Sequence, residues 1–286
     1  MNLFITLIFA ILLNLSCYAT SELQFYKSEN LLKSLSFEEL KSSFKIHKVT
    51  VFNPYTLKPE TYNAFSMRRI LQSIYKDEWK DQFALTVRTK DRYTPIVETY
   101  KFKEREAYLA FSRADNKKFV SLTMYKEKVV DLSPYYLIWE EDKNKVPSRR
   151  KTHWPYKVTG FELVSKIPTF IIPPEKDQKL NWGYENVRKN CLSCHTVYGY
   201  GSTKVSELIT NGTTKRYSDK KLAKFIHNPR GINPKSKMPM FSPKIDKRID
   251  RIKNIVLYLR YLEDKKKIKR EKSTKNLIKT IEKQMD

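Results

Sequence analysis

The chain predicts two units in series, an α+β N-terminal one and an all-α C-terminal one, and three observations carry that expectation. The first half holds several short runs rich in β-branched and aromatic residues with rough alternation, KIHKVTVF, DQFALTVRT, KFVSLTMY and YYLIWEE, which read as strands. A proline-rich break, PTFIIPPEKD at 168–177, follows them. Beyond the break, Ile252, Ile255, Val256, Leu259 and Leu262 recur at three- and four-residue steps, the apolar stripe of an amphipathic helix.

Within the first unit, FSMRRILQSIYKDEW (65–79) predicts a helix with Met67, Ile70, Leu71 and Ile74 on one face. REAYLAFSRAD predicts a second, shorter helix. His47 and His153, with Trp79, Trp139 and Trp154, read as packing or surface residues.

The 286 residues suit about two domains, and a hydrophobic content of 40% with 13% aromatics describes a globular protein rather than a disordered one. The formal charge of +25 points to anionic partners, a membrane surface or a solubility role without choosing among them. At the N-terminus, LFITLIFAILL (3–13) is an apolar run too short for a membrane span and ends in small residues. Residues 1–19 therefore read as a secretory signal peptide, with Cys17 and Ala19 at the −3 and −1 positions and Thr20 as the mature start. The absence of Lys and Arg ahead of the apolar run keeps an uncleaved membrane anchor as the alternative, and acylation of Cys17 is a weaker one, since Asn14 stands where an aliphatic residue is wanted. A periplasmic or secreted location follows.

With Cys17 removed, the remaining two of the three cysteines stand together in NCLSCHTVYGYG (190–201). A disulfide between Cys191 and Cys194 closes a very small loop and contributes little through loop-closure entropy. A redox dithiol is expected near the start of a βαβ unit. Zinc needs four ligands, and no second cysteine pair completes a common structural site. C-x-x-C-H is the attachment signature of a c-type haem, in which Cys191 and Cys194 bind the ring covalently and His195 supplies the proximal nitrogen to iron. Downstream, KMPMF (237–241) offers Met238 and Met240 as sixth ligands, and Pro234, Pro239 and Pro243 hold that segment extended. The competing reading of both methionines is as gap-filling hydrophobes. His227, ahead of Asn228-Pro229, reads as a capping or surface residue rather than a ligand.

Residues 181–264 resemble a class I cytochrome c domain: WGYENVRKNCLSCH is similar to that family's first helix and haem motif, SDKKLAKFIHNP to its middle helix, KMPMF to its methionine loop, and DRIKNIVLYLRYLED to its last helix. The resemblance implies Met238 as the distal ligand, Met240 being the fallback, and single-electron transfer between redox partners. One departure stands out. The family's G-P-x-L proline, whose carbonyl orients the proximal imidazole, has no counterpart in KVSELIT (204–210), so the partner of the second His195 nitrogen is not identified. Tyr258 and Tyr261 are expected to pack near Trp182 or Tyr184.

Residues 45–165 or so, within a unit expected over 20–165, in turn resemble the oxidoreductase molybdopterin-binding domain of the sulfite oxidase kind. The elements carrying this are Asp91-Arg92-Tyr93 for its D-G-Y step, Leu109-Ala110-Phe111, Ser133-Pro134-Tyr135-Tyr136-Leu137 for its G-P-x-x-L strand, and Trp154 through Leu163. The family's catalytic members bind molybdenum through a cysteine thiolate, and this stretch has no cysteine. The D-G-Y glycine is Arg92, and Ser133 replaces the glycine of G-P. The expectation is the fold without metal or molybdopterin, serving in docking or as a binding surface beside the haem, with a linker over 166–180. A molybdopterin-dependent oxidoreductase drained by the haem, and a haem-based sensor or gas binder, are the alternatives.

Over 265–286 the lysine-rich tail reads as a solvated helix or frayed end, the alternative being a basic amphipathic helix on an anionic membrane or an acidic redox partner. The basic surface as a whole suits acidic docking partners, and nucleic acid is not expected as a partner of a secreted haem protein.

Overall fold

The computed structural model describes residues 22–122, 129–140, 153–243 and 245–265. The expected signal peptide and almost all of the tail lie outside the described residues, as does the end of the strand expected from KFVSLTMY.

Thirteen strands and seven helices are described. Strands β1 (Leu23–Lys27), β2 (Asn30–Leu35), β3 (Ile46–Asn53), β4 (Lys58–Ser66), β5 (Ala84–Thr89), β6 (Ile96–Glu98), β7 (Ala107–Arg113), β10 (Tyr135–Trp139) and β11 (Tyr156–Val164) build one nine-stranded sheet. Its order is β2-β1-β11-β10-β7-β4-β3, with β5 on β11 and β6 on β5. The β1–β11 pair is parallel and the others are antiparallel. β8 (Val120–Leu122) and β9 (Val129–Asp131) form a separate small ladder.

β11 is the hub of the sheet. One of its edges takes β10 near Val158 and β1 from Gly160 to Leu163, while β5 runs along the other. The crossing is tight at Gly160, where a Cβ would meet the Gln24 carbonyl oxygen at 2.4 Å. Glycine is required there by space.

Helices α1 (Phe37–Ser43), α2 (Met67–Tyr75) and α3 (Thr99–Glu104) pack with this sheet. α1 starts at a capping box, Ser36 accepting from the Glu39 N–H and the Glu39 carboxylate accepting from the Ser36 N–H. α2 buries Met67, Ile70, Leu71 and Tyr75, and Ser66 caps it by accepting from the Arg69 N–H. It ends before the predicted boundary because Lys76 turns to φ 55. The predicted helix over REAYLAFSRAD is instead β7, a central strand between β10 and β4. Ala107, Leu109 and Ala110 are buried in it, and ladder pairing on both edges outweighs local helix propensity.

The C-terminal part holds α4 (Gln178–Asn190), the hairpin β12 (Thr196–Val197) and β13 (Tyr200–Gly201), α5 (Asp219–His227), α6 (Pro229–Ile232), and α7, helical over 248–265. The predicted fold class is therefore corrected. One large mixed sheet dominates the described chain, and residues 181–264 are not an all-α domain of the class I cytochrome c type: they carry the β12–β13 hairpin and irregular runs at 202–213 and 233–243. The reasons are local. Gly199 (φ +82) and Gly201 (φ +117) close a hairpin straight after the cysteine turn, and Pro234, Pro239 and Pro243 keep helix out of the second run.

Each part has its own core. Trp79, Trp139, Phe25, Phe65, Phe161 and Tyr136 are among the residues buried in the first. The second gathers Leu180, Tyr184, Val187, Leu192, Ile226, Phe241 and the α7 stripe Ile252, Ile255, Val256, Leu259 and Leu262. At the crossing of α4 and α7, a Cβ on Gly183 would lie 2.2 Å from the Asn254 carbonyl oxygen, and Tyr184 meets Tyr258 at 5.8 Å between ring centroids. Trp182, the other expected partner of the tyrosines, is exposed. The expected linker is itself packed: Ile171 is buried, and the Tyr258 hydroxyl donates to its carbonyl at 2.5 Å.

Candidate functional site

The turn after α4 brings the C-x-x-C-H residues together by backbone bonds alone. Cys191 caps α4, its N–H donating to the Val187 carbonyl at 2.8 Å. The N–H groups of Cys194 and His195 both donate to the Cys191 carbonyl, at 3.0 and 2.8 Å. The hairpin then folds back: the Ser202 N–H meets the carbonyls of Leu192 and His195, and the Val205 N–H that of Cys194. Gly201 allows this, because a Cβ there would sit 2.4 Å from the His195 carbonyl oxygen.

Both cysteines are free thiols. Burial pushes the Cys191 thiol up to about 12, with the neighbouring Cys194 adding to it, and burial raises Cys194 as well. Cys191 stands at the negative, C-terminal end of α4, the reverse of the helix N-terminus that stabilises a reactive thiolate. The turn is thus poorly suited to a redox dithiol. Among the described residues no group of three or more His, Cys, Asp or Glu side chains is placed to hold a metal ion.

The Nδ1 of His195 lies 2.7 Å from the Ser206 carbonyl oxygen. A carbonyl only accepts, so Nδ1 carries the proton and the Nε2 lone pair is left for another partner. Burial moves the imidazole down from its ordinary value, with the Ser206 carbonyl and Glu207 partly opposing that, so His195 is neutral at neutral pH. Ser206 belongs to the KVSELIT stretch that lacks the expected proline. The carbonyl role needs only a backbone, which is why residue type did not reveal it.

The two methionines differ. Met238 is half-buried against the C-terminal core, while Met240 is 36% exposed. Phe241 anchors the segment, its N–H donating to the Ile226 carbonyl at 3.1 Å. The His227 Nε2 faces an Arg248 guanidinium nitrogen at 2.5 Å, and Arg248 also donates to the His227 and Phe241 carbonyls. Since arginine can only donate, His227 spends its lone pair on Arg248 and is set aside as a ligand.

Two free thiols on one turn, an imidazole with its second nitrogen already satisfied, and a thioether packed against the same core are residue types that would suit a covalently attached His/Met haem. An apolar cavity of about 480 Å³ lies elsewhere, between α5, α6 and the start of α7, lined by Ala223, Ile232, Ile249 and Ile252 with Lys224 and Lys253, and includes none of these donors.

The sheet unit abuts the turn, and sequence reading did not identify the residues that make the contact. Glu98, at the end of β6, pairs with Lys101 at 2.6 Å and with Arg188 of α4 at 2.9 Å, all three buried. Burial alone would raise the Glu98 carboxyl, but the Lys101 hydrogen bond and charge, with Arg188, hold it at about 2. His153 lies beside this cluster; burial and the Lys101 charge push it down to about 4, so it is neutral there. His47 lies against Tyr108, with ring centroids 5.6 Å apart and the planes tilted, and Trp79, Trp139 and Trp154 are buried packing residues. Arg92, in the place of the D-G-Y glycine, adopts a left-handed backbone at φ 63.

Comparison with protein-family models gives no match, and comparison with curated proteins gives none either. Among the described residues, no helix is long and apolar enough to cross a membrane.

Proposed function

We propose that the protein carries one covalent haem c on Cys191 and Cys194 and transfers single electrons, with His195 and Met238 as axial ligands. The observation that carries this reading is the pairing of His195 Nδ1 with the Ser206 carbonyl within the cysteine turn, which presents Nε2 as a ligand of defined tautomer. When bound, the haem supplies a single iron that cycles between two oxidation states. The chain's part is to anchor, orient and screen. Cys191 and Cys194 hold the ring by two bonds, Ser206 fixes the imidazole plane, and Met238 is offered from a proline-stiffened segment tied to α5 through Phe241. Thioether ligation favours a higher potential than a second histidine would.

The sheet unit, for which a molybdopterin-binding likeness remains a proposal, contains no cysteine thiolate to hold molybdenum. The excess of lysine and arginine suits acidic redox partners approached at a salt-dependent rate, in a periplasmic or secreted setting.

The test is an optical titration of the reduced protein with carbon monoxide, after co-expression with a haem c maturation system. Covalent haem with unshifted Soret and α bands is the expected result. A clear shift would mean an open sixth position and overturn the electron-carrier assignment in favour of gas binding. Absence of covalent haem would overturn the assignment of the turn itself.

A further inference from the structure

The segment Asp91–Thr94, between β5 and β6, lies directly on the cysteine turn. The Thr94 N–H donates to the Ser193 carbonyl at 3.0 Å, and the Ser202 hydroxyl donates to the Arg92 carbonyl at 2.5 Å. Lys204 pairs with Asp91 at 2.5 Å and lies over the Tyr93 ring, 5.6 Å from its centroid. Asp91 is held in turn by the Thr89 hydroxyl and the Tyr93 N–H. Tyr93, half-buried, stands between the anchored Arg92 and Thr94, and burial raises its phenol above the ordinary value. On the other side of the turn, Arg188, three residues ahead of Cys191, is fastened to Glu98. The turn is therefore gripped before and after its cysteines by one stretch of the sheet unit, residues 91–98.

We propose that Tyr93 is a positioning residue of the haem site, its ring forming the wall that keeps water from the Cys194 side of the cofactor, and that the Asp91–Lys204 pair latches this wall shut. The inference rests on the haem assignment above and goes beyond it: the sheet unit is part of the cofactor's environment rather than a separate docking module. Solvent exclusion raises the potential of a haem, because the oxidised form bears the greater charge and gains most from water.

The experiment compares the midpoint potentials of holoprotein carrying Tyr93→Ala, Tyr93→Phe or Lys204→Met with that of the unaltered chain, alongside covalent haem content. Tyr93→Ala is expected to lower the reduced-to-oxidised ratio at fixed applied potential about threefold, equivalent to ~28 mV at 59 mV per decade for one electron. Tyr93→Phe keeps the ring and is expected to restore most of that ratio, and Lys204→Met is expected to shift it in the same direction as Tyr93→Ala by less. Should Tyr93→Ala fail to accumulate, Lys204→Met decides alone. Full haem content with unchanged potentials in Tyr93→Ala and Lys204→Met overturns the proposal while leaving the haem assignment standing. An unaltered chain that takes up no covalent haem overturns both.

Discussion

Replacing Glu98 by glutamine tests the buried charge cluster joining the sheet unit to α4. Glu98, Lys101 and Arg188 are 7%, 6% and 8% exposed, so solvent screens them little. A carboxyl held at about 2 against an ordinary 4.5 contributes on the order of 3 kcal/mol of stability at neutral pH. The sign follows from the depressed value: the contribution is complete above about pH 5, about 2 kcal/mol of it is gone by pH 3, and the rest is lost as pH falls through 2. The introduced amide would still accept a hydrogen bond but takes the paired carboxylate from buried Lys101 and leaves buried Arg188 only the more exposed Glu185, a loss of roughly 3–5 kcal/mol. The assay is urea unfolding at pH 7 and pH 3, followed by the fluorescence of the buried Trp79, Trp139 and Trp154. The variant should be much the weaker protein at pH 7, and the gap should narrow at pH 3, because the parent has by then lost most of its own carboxylate contribution. A gap equally wide at both pH values would refute the reasoning, as would a loss below about 1 kcal/mol at pH 7.

Met238→Ala should open the sixth position to carbon monoxide while Met240→Ala leaves the spectrum unchanged; the reverse pattern would transfer the ligand role to the exposed methionine. Gly183→Ala forces a Cβ into the Asn254 carbonyl and should cost about 1–3 kcal/mol or more by parting α4 from α7, read as a lower melting temperature; an unchanged melting temperature would mean that the helices can shift freely. In haem-free chain, Cys191 should resist iodoacetamide at pH 8, where a thiol near 12 is about one part in ten thousand thiolate, and should react readily only above about pH 10. Fast alkylation at pH 8 would contradict the partly buried, helix C-terminal placement.

Much of the sheet was legible because burial on one or both faces imposes a pattern on the residues. β3, β5 and β10 lie where alternation and β-branched content placed strands, and three of the four residues predicted on the apolar face of α2, Met67, Ile70 and Leu71, are buried in the core. β7 was misread as a helix because Ala107, Leu109 and Ala110 are good helix formers, and only neighbouring strands on both edges make them a strand. The all-α expectation failed at the hairpin, where four residues in two strands are too few to give a period.

By itself the sequence determined the local chemistry: the three donors Cys191, Cys194 and His195 stand within five residues, so any fold brings them together. It also determined that the 237–241 segment would be loop rather than helix, since proline acts through its own ring. Tertiary structure alone decided the rest. The Ser206 carbonyl on His195, the half-burial that separates Met238 from Met240, and the grip of residues 91–98 on the cysteine turn all join groups distant in the chain or borne by the backbone. Periodicity records which face of an element is buried, but it carries no information about which other element covers it.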